Sequence, residues 1–148
     1  MATQTEELVQ KIYTVFNSHD LDKLDDLFDP NYEDYSAGVP FPTPFNLQTL
    51  KGLIQMYITA FPDGKWTVTD FVAEGFEDGQ KAAWRDHFTG TNTGEFMGMP
   101  PTGRTVEAEG MSIGEVRNGK ACRHWSVFDN MGLMQQLGII PAPGQVPA

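Results

Sequence analysis

His124 is the side chain in this sequence best suited to proton transfer. The ordinary pKa of a histidine, about 6.5, lies close to neutral pH, so one ring can accept a proton and return it. His124 belongs to an alternating segment, Lys120–Asp129, and in a strand it would share a face with Cys122 and Ser126. We predict that His124 is an acid or base in the wall of a small-molecule pocket. The alternative is a neutral histidine that is hydrogen-bonded within that wall and does no chemistry.

Arg85 is the second candidate, on a predicted strand at Lys81–Thr89. Its guanidinium could hold a carboxylate, an ester carbonyl or a developing enolate by charge-assisted hydrogen bonds. Alternation directs Arg85 and His87 to one face and Asp86 to the other. We therefore predict Arg85 and His87 in the pocket and Asp86 facing away. The alternatives are a surface arginine paired with an acid and a solvated histidine.

Asp34 and Tyr35 lie on a short extended segment, Asn31–Ser36, before a loop with prolines from Pro40 to Pro44. A buried aspartate would have a raised pKa and could act as base or acid. We predict Asp34 as a catalytic carboxylate, Tyr35 as a substrate contact and the Pro40–Pro44 loop as a lid. The alternative is a solvated aspartate before the loop.

The hairpin that carries His124 has two possible registers. A two-residue Asn118-Gly119 loop would place Ser112 on the face of Trp125, whereas a three-residue loop with Gly119 in the left-handed region would place Ser112 with His124. We favour the second register, because it collects small and polar residues on one face and large apolar ones on the other. Ser112 and Ser126 then become predicted substrate contacts.

Periodicity predicts an α+β domain over residues 1–140 and a mobile tail over 141–148. A capping box at Thr3-x-x-Glu6 begins the first of three helices. About four or five antiparallel strands follow, curved and packed on the three helices as a conical barrel, with a short helix after Asp129. Phe16 on the first helix and Met99 in the Gly90–Gly103 loop are predicted to line the pocket.

Composition limits the possible partners. The formal charge of −10 and the pI near 4.5 exclude nucleic acid and anionic membranes as expected partners. One cysteine and no apolar leader indicate a reducing cytoplasm, and no apolar run approaches the roughly 20 residues of a membrane span. The three histidines lack metal-ligand spacing, so we predict no metal site.

Seven segments, in order along nearly the whole chain, carry a resemblance to a known family: Ala60–Asp63, Val72–Gly75, Phe88–Phe96, Met99–Gly103, Asn118–Lys120, His124–Trp125 and Leu133–Gly138. Together they resemble the SnoaL-like polyketide (ester) cyclases of the nuclear transport factor two-like superfamily. The resemblance implies a conical α+β barrel with a deep apolar pocket, no metal or organic cofactor, and a dimer or tetramer.

Members of that family close rings by intramolecular aldol condensation, and the resemblance assigns their histidine to His124 and a frequent arginine to Arg85. The chief acid/base of the family is an aspartate two residues after the histidine, and here that position is Ser126. A neighbouring aspartate or histidine is replaced by Ser112. A serine hydroxyl is a poor acid and a poor base without an activator, which leaves Asp34 as the replacement carboxylate.

Our hypothesis is therefore a cofactor-independent enzyme that acts on a hydrophobic keto-ester or polyketide-like substrate by enolate chemistry. One alternative is a non-catalytic pocket for an apolar ligand. Another is an isomerase or a hydrolase resembling limonene epoxide hydrolase, whose Asp–Arg–Asp set is not apparent around Arg85. The opposite sheet face lacks a helix to cover it, so we predict a homodimer or tetramer through Met111, Ile113, Trp125 and Val127.

Overall fold

The computed structural model describes residues 3–76 and 78–144. Residue 77, in the predicted turn between two strands, and residues 145–148 of the predicted tail lie outside the described residues. None of the described helices is long and apolar enough to cross a membrane. The elements are α1 (Gln4–Ser18), a 3₁₀ helix (Leu21–Asp26), β1 (Phe28–Asp34), α2 (Leu47–Ala60), β2 (Lys65–Phe76), β3 (Gly79–Thr91), β4 (Thr105–Arg117), β5 (Lys120–Phe128) and α3 (Asn130–Gln136).

Side-chain caps fix the starts of the two long helices. The Thr3 hydroxyl accepts a hydrogen bond from the Glu6 backbone N–H at 3.1 Å, and Asn46 Oδ1 accepts one from the Thr49 N–H at 3.0 Å. The second predicted helix is a single 3₁₀ segment, because the chain enters β1 at Phe28. Pro30 is tolerated within β1 because that strand lies at the sheet edge, where its pairing with β5 is irregular.

The sheet has five strands in the order β1-β5-β4-β3-β2, and the helices pack against it in an α+β arrangement. The contacts β5-β4, β4-β3 and β3-β2 are antiparallel, but β1 runs parallel to β5. The sheet is therefore mixed, whereas we had predicted that all of its strands are antiparallel. Alternation within a strand reports its two faces and carries no information about the direction of a partner that lies far away in sequence.

The β4–β5 hairpin combines a tight turn with a bulge. Arg117 pairs with Lys120, so the loop is the two-residue Asn118-Gly119 turn, with φ of 51° and 71° at these positions. The register then shifts, because Val116 pairs with Ala121 and the next pair toward the sheet centre is Glu115 with Arg123, which leaves Cys122 as one extra residue. The predicted three-residue loop is therefore wrong, but the bulge has the same effect on facing.

Beyond the bulge, Gly114 lies opposite His124 and Ser112 lies opposite Ser126. These residues share the inner face of the sheet with Ala82 and Trp84 of β3. The core lies between this face and the helices. Aromatic rings gather around Tyr57 of α2 in that core: Phe61, Trp66, Phe88, Phe96 and Phe128.

Candidate functional site

A cavity of about 350 Å³ lies between the inner face of the sheet and the helices. Most of its lining is apolar or aromatic, which suits a hydrophobic small molecule. The principal side chains of this kind are Leu8, Ile12, Phe16, Phe28, Leu50, Ile54, Tyr57, Trp66, Trp84, Phe96 and Phe128. The polar lining residues are few, and two of them are buried aspartates.

His124 and Asp34 form the first polar group of the cavity. Strand pairing brings them together, because Asp34 at the end of β1 is in register with His124 of the parallel strand β5. The His124 Nδ1 atom lies 3.2 Å from Asp34 Oδ2 and 3.3 Å from Ser36 Oγ. The imidazole ring stacks on Trp84 with 5.8 Å between centroids and 25° between planes. Its Nε2 atom has no hydrogen-bond partner among the described residues.

Asp34 is 1% exposed and accepts hydrogen bonds from several neutral donors. The Tyr32 hydroxyl donates to Oδ2 at 2.6 Å, and the Ser36 backbone N–H donates to Oδ1 at 2.8 Å. The Ser36 hydroxyl also donates to Oδ1 and accepts from the Ser126 hydroxyl at 2.7 Å. Ser126 thus reaches Asp34 through Ser36.

Burial of Asp34 raises its pKa, but the hydrogen bond and charge of His124, together with Ser36 and Tyr32, outweigh burial. The net pKa of Asp34 lies below its ordinary value. We had predicted a raised pKa, and that prediction is wrong because it counted desolvation without the donors that face the carboxylate. Asp34 is therefore ionised at neutral pH.

Asp86 is a second carboxyl group in the cavity. We had predicted that it faces away from the pocket, and that prediction is wrong. Its Oδ2 atom accepts hydrogen bonds from the Tyr13 hydroxyl at 3.1 Å and the Ser112 hydroxyl at 2.9 Å. Burial raises the pKa of Asp86, against the opposing effect of Ser112, Tyr13 and the charge of His124. The sequence did contain a signal, because Trp84 and Phe88 alternate with Asp86 and mark the core-facing side of β3.

Arg85 and His87 lie on the outer face of the sheet, not in the predicted pocket. Arg85 forms ion pairs with Asp70 at 2.9 Å and Glu109 at 3.2 Å. The His87 Nε2 atom lies 2.8 Å from Glu107 Oε1. Because β3 is in regular register with β4, Arg85 and His87 must face opposite to Asp86.

Tyr35 and Met99 also lie outside the cavity lining. The Tyr35 ring stacks on Trp125 of the outer face with 5.4 Å between centroids, and its hydroxyl donates to Glu33 at 3.2 Å. Met99 is partly buried and packs against the core. The cavity does bring together the predicted residues His124, Asp34, Ser112, Ser126 and Phe16.

Among residues 3–76 and 78–144, no group of three or more His, Cys, Asp or Glu side chains is arranged to hold a metal ion. Arg123 is the cation that contributes to the described lining, and its guanidinium pairs with Glu33 at 3.3 Å. The cavity thus offers an ionised aspartate that holds an imidazole, and a second aspartate in surroundings that favour its neutral form. This arrangement suits proton transfer to and from an uncharged apolar ligand.

Comparison with solved structures finds the same fold in bacterial proteins. IdmH from Streptomyces antibioticus, a proposed polyketide cyclase, is 33% identical, with a TM-score of 0.76 over 93% of this chain and 99% of that one. TsrD from Streptomyces laurentii is 26% identical, with a TM-score of 0.77 over 93% and 96% of the two chains. AclR from Streptomyces galilaeus, a proposed hydroxylase, is 28% identical, with a TM-score of 0.77 over 95% and 83%. The predicted α+β cone of the nuclear transport factor two-like superfamily is confirmed.

Comparison with curated proteins gave no match. The sequence profile of the SnoaL-like polyketide cyclases matches residues 6–137, which is nearly the whole chain. Sequence and fold agree, and the chain belongs to the SnoaL-like polyketide cyclase family.

Proposed function

We propose that this protein is a cofactor-independent cyclase that acts on a hydrophobic keto-ester or polyketide-like substrate by enolate (intramolecular aldol) chemistry. The observation that carries the proposal is the Asp34–His124 pair in an apolar cavity. Asp34 engages the Nδ1 side of the ring, which leaves the Nε2 lone pair directed to a ligand. An aspartate in this position also stabilises the imidazolium that forms when Nε2 takes a proton.

In the proposed reaction, His124 Nε2 removes a proton from the carbon next to a carbonyl group. The electron pair of the broken C–H bond passes into the enolate, which attacks a second carbonyl carbon of the same molecule and forms the ring C–C bond. The resulting alkoxide oxygen recovers the proton from the imidazolium. Atoms and electrons balance without an oxidant or reductant, so this chemistry requires no redox cofactor.

Asp34 supplies from β1 the carboxylate that the family commonly places on β5. Ser126 occupies the family position, and its hydroxyl reaches Asp34 through Ser36. We assign Ser126 and Ser36 to positioning Asp34 and Asp34 to positioning His124. The replacement preserves an acidic partner for the histidine on the neighbouring strand.

Proton abstraction can be measured without knowing the natural substrate. Ethyl benzoylacetate is a hydrophobic keto-ester, and exchange of its C2 protons in D₂O is followed by ¹H NMR above the buffer rate. We expect the wild type to accelerate exchange and His124→Gln to lose about 10²-fold or more of that acceleration. The matched control is Asp22→Asn, whose side chain is 95% exposed and does not line the cavity.

Equal exchange by His124→Gln and the wild type would contradict the proposal. Saturable binding of several hydrophobic keto-esters without exchange of any of them would favour the alternative of a non-catalytic ligand pocket.

We also propose that the outer sheet face forms a homodimer, alone or within a tetramer. Met111 and Val127 are 66% and 67% exposed there, beside the partly exposed Ile113. Ion pairs of Arg85 and Arg123 flank this apolar centre, an arrangement typical of protein interfaces. Sedimentation velocity over a concentration series should show a dimer or larger species, and a monomer at every concentration would refute it.

A cytoplasmic location is a further proposal, and it depends on the single cysteine. Cys122 is half buried and its thiol donates to the Glu115 carbonyl at 3.2 Å. Burial raises the pKa of this thiol, which keeps it protonated and unreactive. Recovery of the native protein from culture fluid rather than the cytoplasmic fraction would contradict this location.

A further inference from the structure

Asp86 is not used by the mechanism above, yet it is held with its two oxygens in different surroundings. The residue is 8% exposed. Oδ2 accepts from both Tyr13 and Ser112, so its lone pairs are occupied. Oδ1 has no hydrogen-bond partner among the described residues, and a Cβ added at Gly110 would meet it at 2.5 Å. Oδ1 therefore occupies space on the inner face that only glycine leaves open.

The tyrosine that holds Oδ2 is itself fixed. Trp84 Nε1 donates to the Tyr13 hydroxyl at 3.1 Å, so this hydroxyl must direct its own proton to Asp86. Two donors, one of them fixed in turn by Trp84, thus determine the orientation of the carboxyl group before any ligand enters. A proton on this group belongs on Oδ1, because Oδ2 already faces two donated hydrogens.

We propose that Asp86 is a catalytic acid, whose Oδ1–H donates to the substrate carbonyl oxygen as the enolate forms. The inference rests on the proposed function, since it assigns the second half of the same proton transfer. The C–H proton passes to His124 Nε2, the C–H electron pair moves onto the carbonyl oxygen, and that oxygen receives the hydrogen bond or the proton of Asp86. When the enolate attacks and its carbonyl reforms, the proton returns to Asp86.

Burial favours a neutral Asp86 carboxyl, whereas the groups that face Asp86 favour its ionised form without outweighing burial. Tyr13 faces it from α1, Ser112 from β4, and His124 from β5 acts at longer range. No described lysine or arginine forms an ion pair with it. Burial raises its pKa, whereas the pKa of Asp34 in the same cavity is lowered. Opposite shifts suit two different roles, with Asp86 as the acid and Asp34 as the ionised partner that positions the base His124.

The same arrangement selects the chemical class of the substrate. A neutral ketone or ester oxygen can accept from Asp86, whereas a free carboxylate would meet the ionised Asp34. Arg123, the cation in the described lining, is already paired with Glu33. The cavity should therefore bind ethyl benzoylacetate and reject benzoylacetate, the corresponding carboxylate.

Two substitutions separate proton donation from hydrogen bonding. Asp86→Asn keeps a donor near Oδ1 but has no acidic proton, and Asp86→Leu removes the donor as well. We expect the kcat of C2 exchange in ethyl benzoylacetate to fall about tenfold in Asp86→Asn and about 10²-fold in Asp86→Leu, with a smaller change in KM. Asp22→Asn is the control for an Asp→Asn change outside the site.

A second measurement does not depend on turnover. The ¹³Cγ resonance of Asp86, assigned by its loss in Asp86→Asn, should titrate above the ordinary aspartate range. Titration of Asp86 at or below the ordinary aspartate pKa would overturn the inference. So would wild-type kcat in both Asp86 variants while His124→Gln is inactive, and that result would leave the proposed function standing. Tighter binding of benzoylacetate than of its ester would also overturn it, whereas wild-type exchange in His124→Gln would refute the proposed function itself.

Discussion

Asp86 and Arg85 are neighbours on one strand, but Arg85 is paired with charged groups and Asp86 is bound by neutral ones. On the outer face, Arg85 pairs with the opposite charges of Asp70 and Glu109 in solvent. On the inner face, Asp86 is held by the neutral hydroxyls of Tyr13 and Ser112. A carboxyl group held by neutral donors can gain a proton without breaking an ion pair. The inner face therefore provides titratable groups for chemistry, while the outer face provides a charged surface.

Asp34→Asn tests the inner face most severely. The amide cannot accept from Tyr32, Ser36 and His124 together, so buried donors lose their partner. We expect exchange to fall about 10²-fold and the unfolding free energy to drop by about 3 kcal/mol at neutral pH, measured by urea denaturation. Asp22→Asn should change neither. A fully stable, active Asp34→Asn variant would remove the proposed orienting role.

The pH dependence of stability should distinguish the two inner aspartates by sign. The lowered pKa of Asp34 means that its stabilisation is present above the ordinary aspartate pKa of 3.8 and is lost as pH falls through the lower folded value. The raised pKa of Asp86 has the opposite effect, because the folded state binds the proton more tightly and loses stability as pH rises from 3.8 toward the folded value.

Urea denaturation of each Asp→Asn variant from pH 2 to pH 7 measures these slopes against the wild type. With rising pH, the wild type should gain stability relative to Asp34→Asn and lose it relative to Asp86→Asn, by about 1.4 kcal/mol for every pH unit that separates the folded pKa from 3.8. Slopes of the same sign would show that the two sites are not electrostatically distinct.

Gly110→Ala should have an intermediate effect. The new Cβ would lie 2.5 Å from Asp86 Oδ1 and 3.0 Å from the Val127 carbonyl oxygen, so the carboxyl group or the strand must shift. We expect a loss of about 1–3 kcal/mol in unfolding free energy and slower exchange. Gly52→Ala is the matched control, because nothing lies within 4 Å of its Cβ position on α2. Unchanged exchange in Gly110→Ala would mean that the position of Oδ1 is unimportant.

Arg85→Gln should have the smallest effect of these substitutions. Its ion pairs lie in solvent and contribute at most about 1 kcal/mol to stability, and its side chain does not reach the cavity. We expect the exchange rate of ethyl benzoylacetate to match the wild type. A large decrease in exchange would mean that the outer face takes part in the reaction.

Local patterns predicted what depends on neighbouring residues. The Thr3 cap, the α+β class and the common face of Ser112 and His124 all follow from short-range spacing. The Asp34–His124 contact does not, because it needs the parallel pairing of β1 with β5 across 90 residues of sequence. The positions of Trp84 and Phe88 could have shown which face of β3 lines the cavity. We chose the opposite face because the family often has an arginine at the position of Arg85. The pKa of Asp34 depends on donors from several segments, which no local pattern specifies.

The extra residue at Cys122 decides which side chains enter the interior. Cys122 is one unpaired residue between the Asn118-Gly119 turn and the end of β5, and it shifts the alternation of side chains in β5 by one position. His124 and Ser126 therefore point inward, while Arg123 and Trp125 point outward. A hairpin with the same two-residue turn but without that residue would exchange the two sets and direct an indole ring and a guanidinium into the cavity. The imidazole would then lie in solvent, and the loss of one bulged residue would remove the proposed proton-transfer group from the cavity.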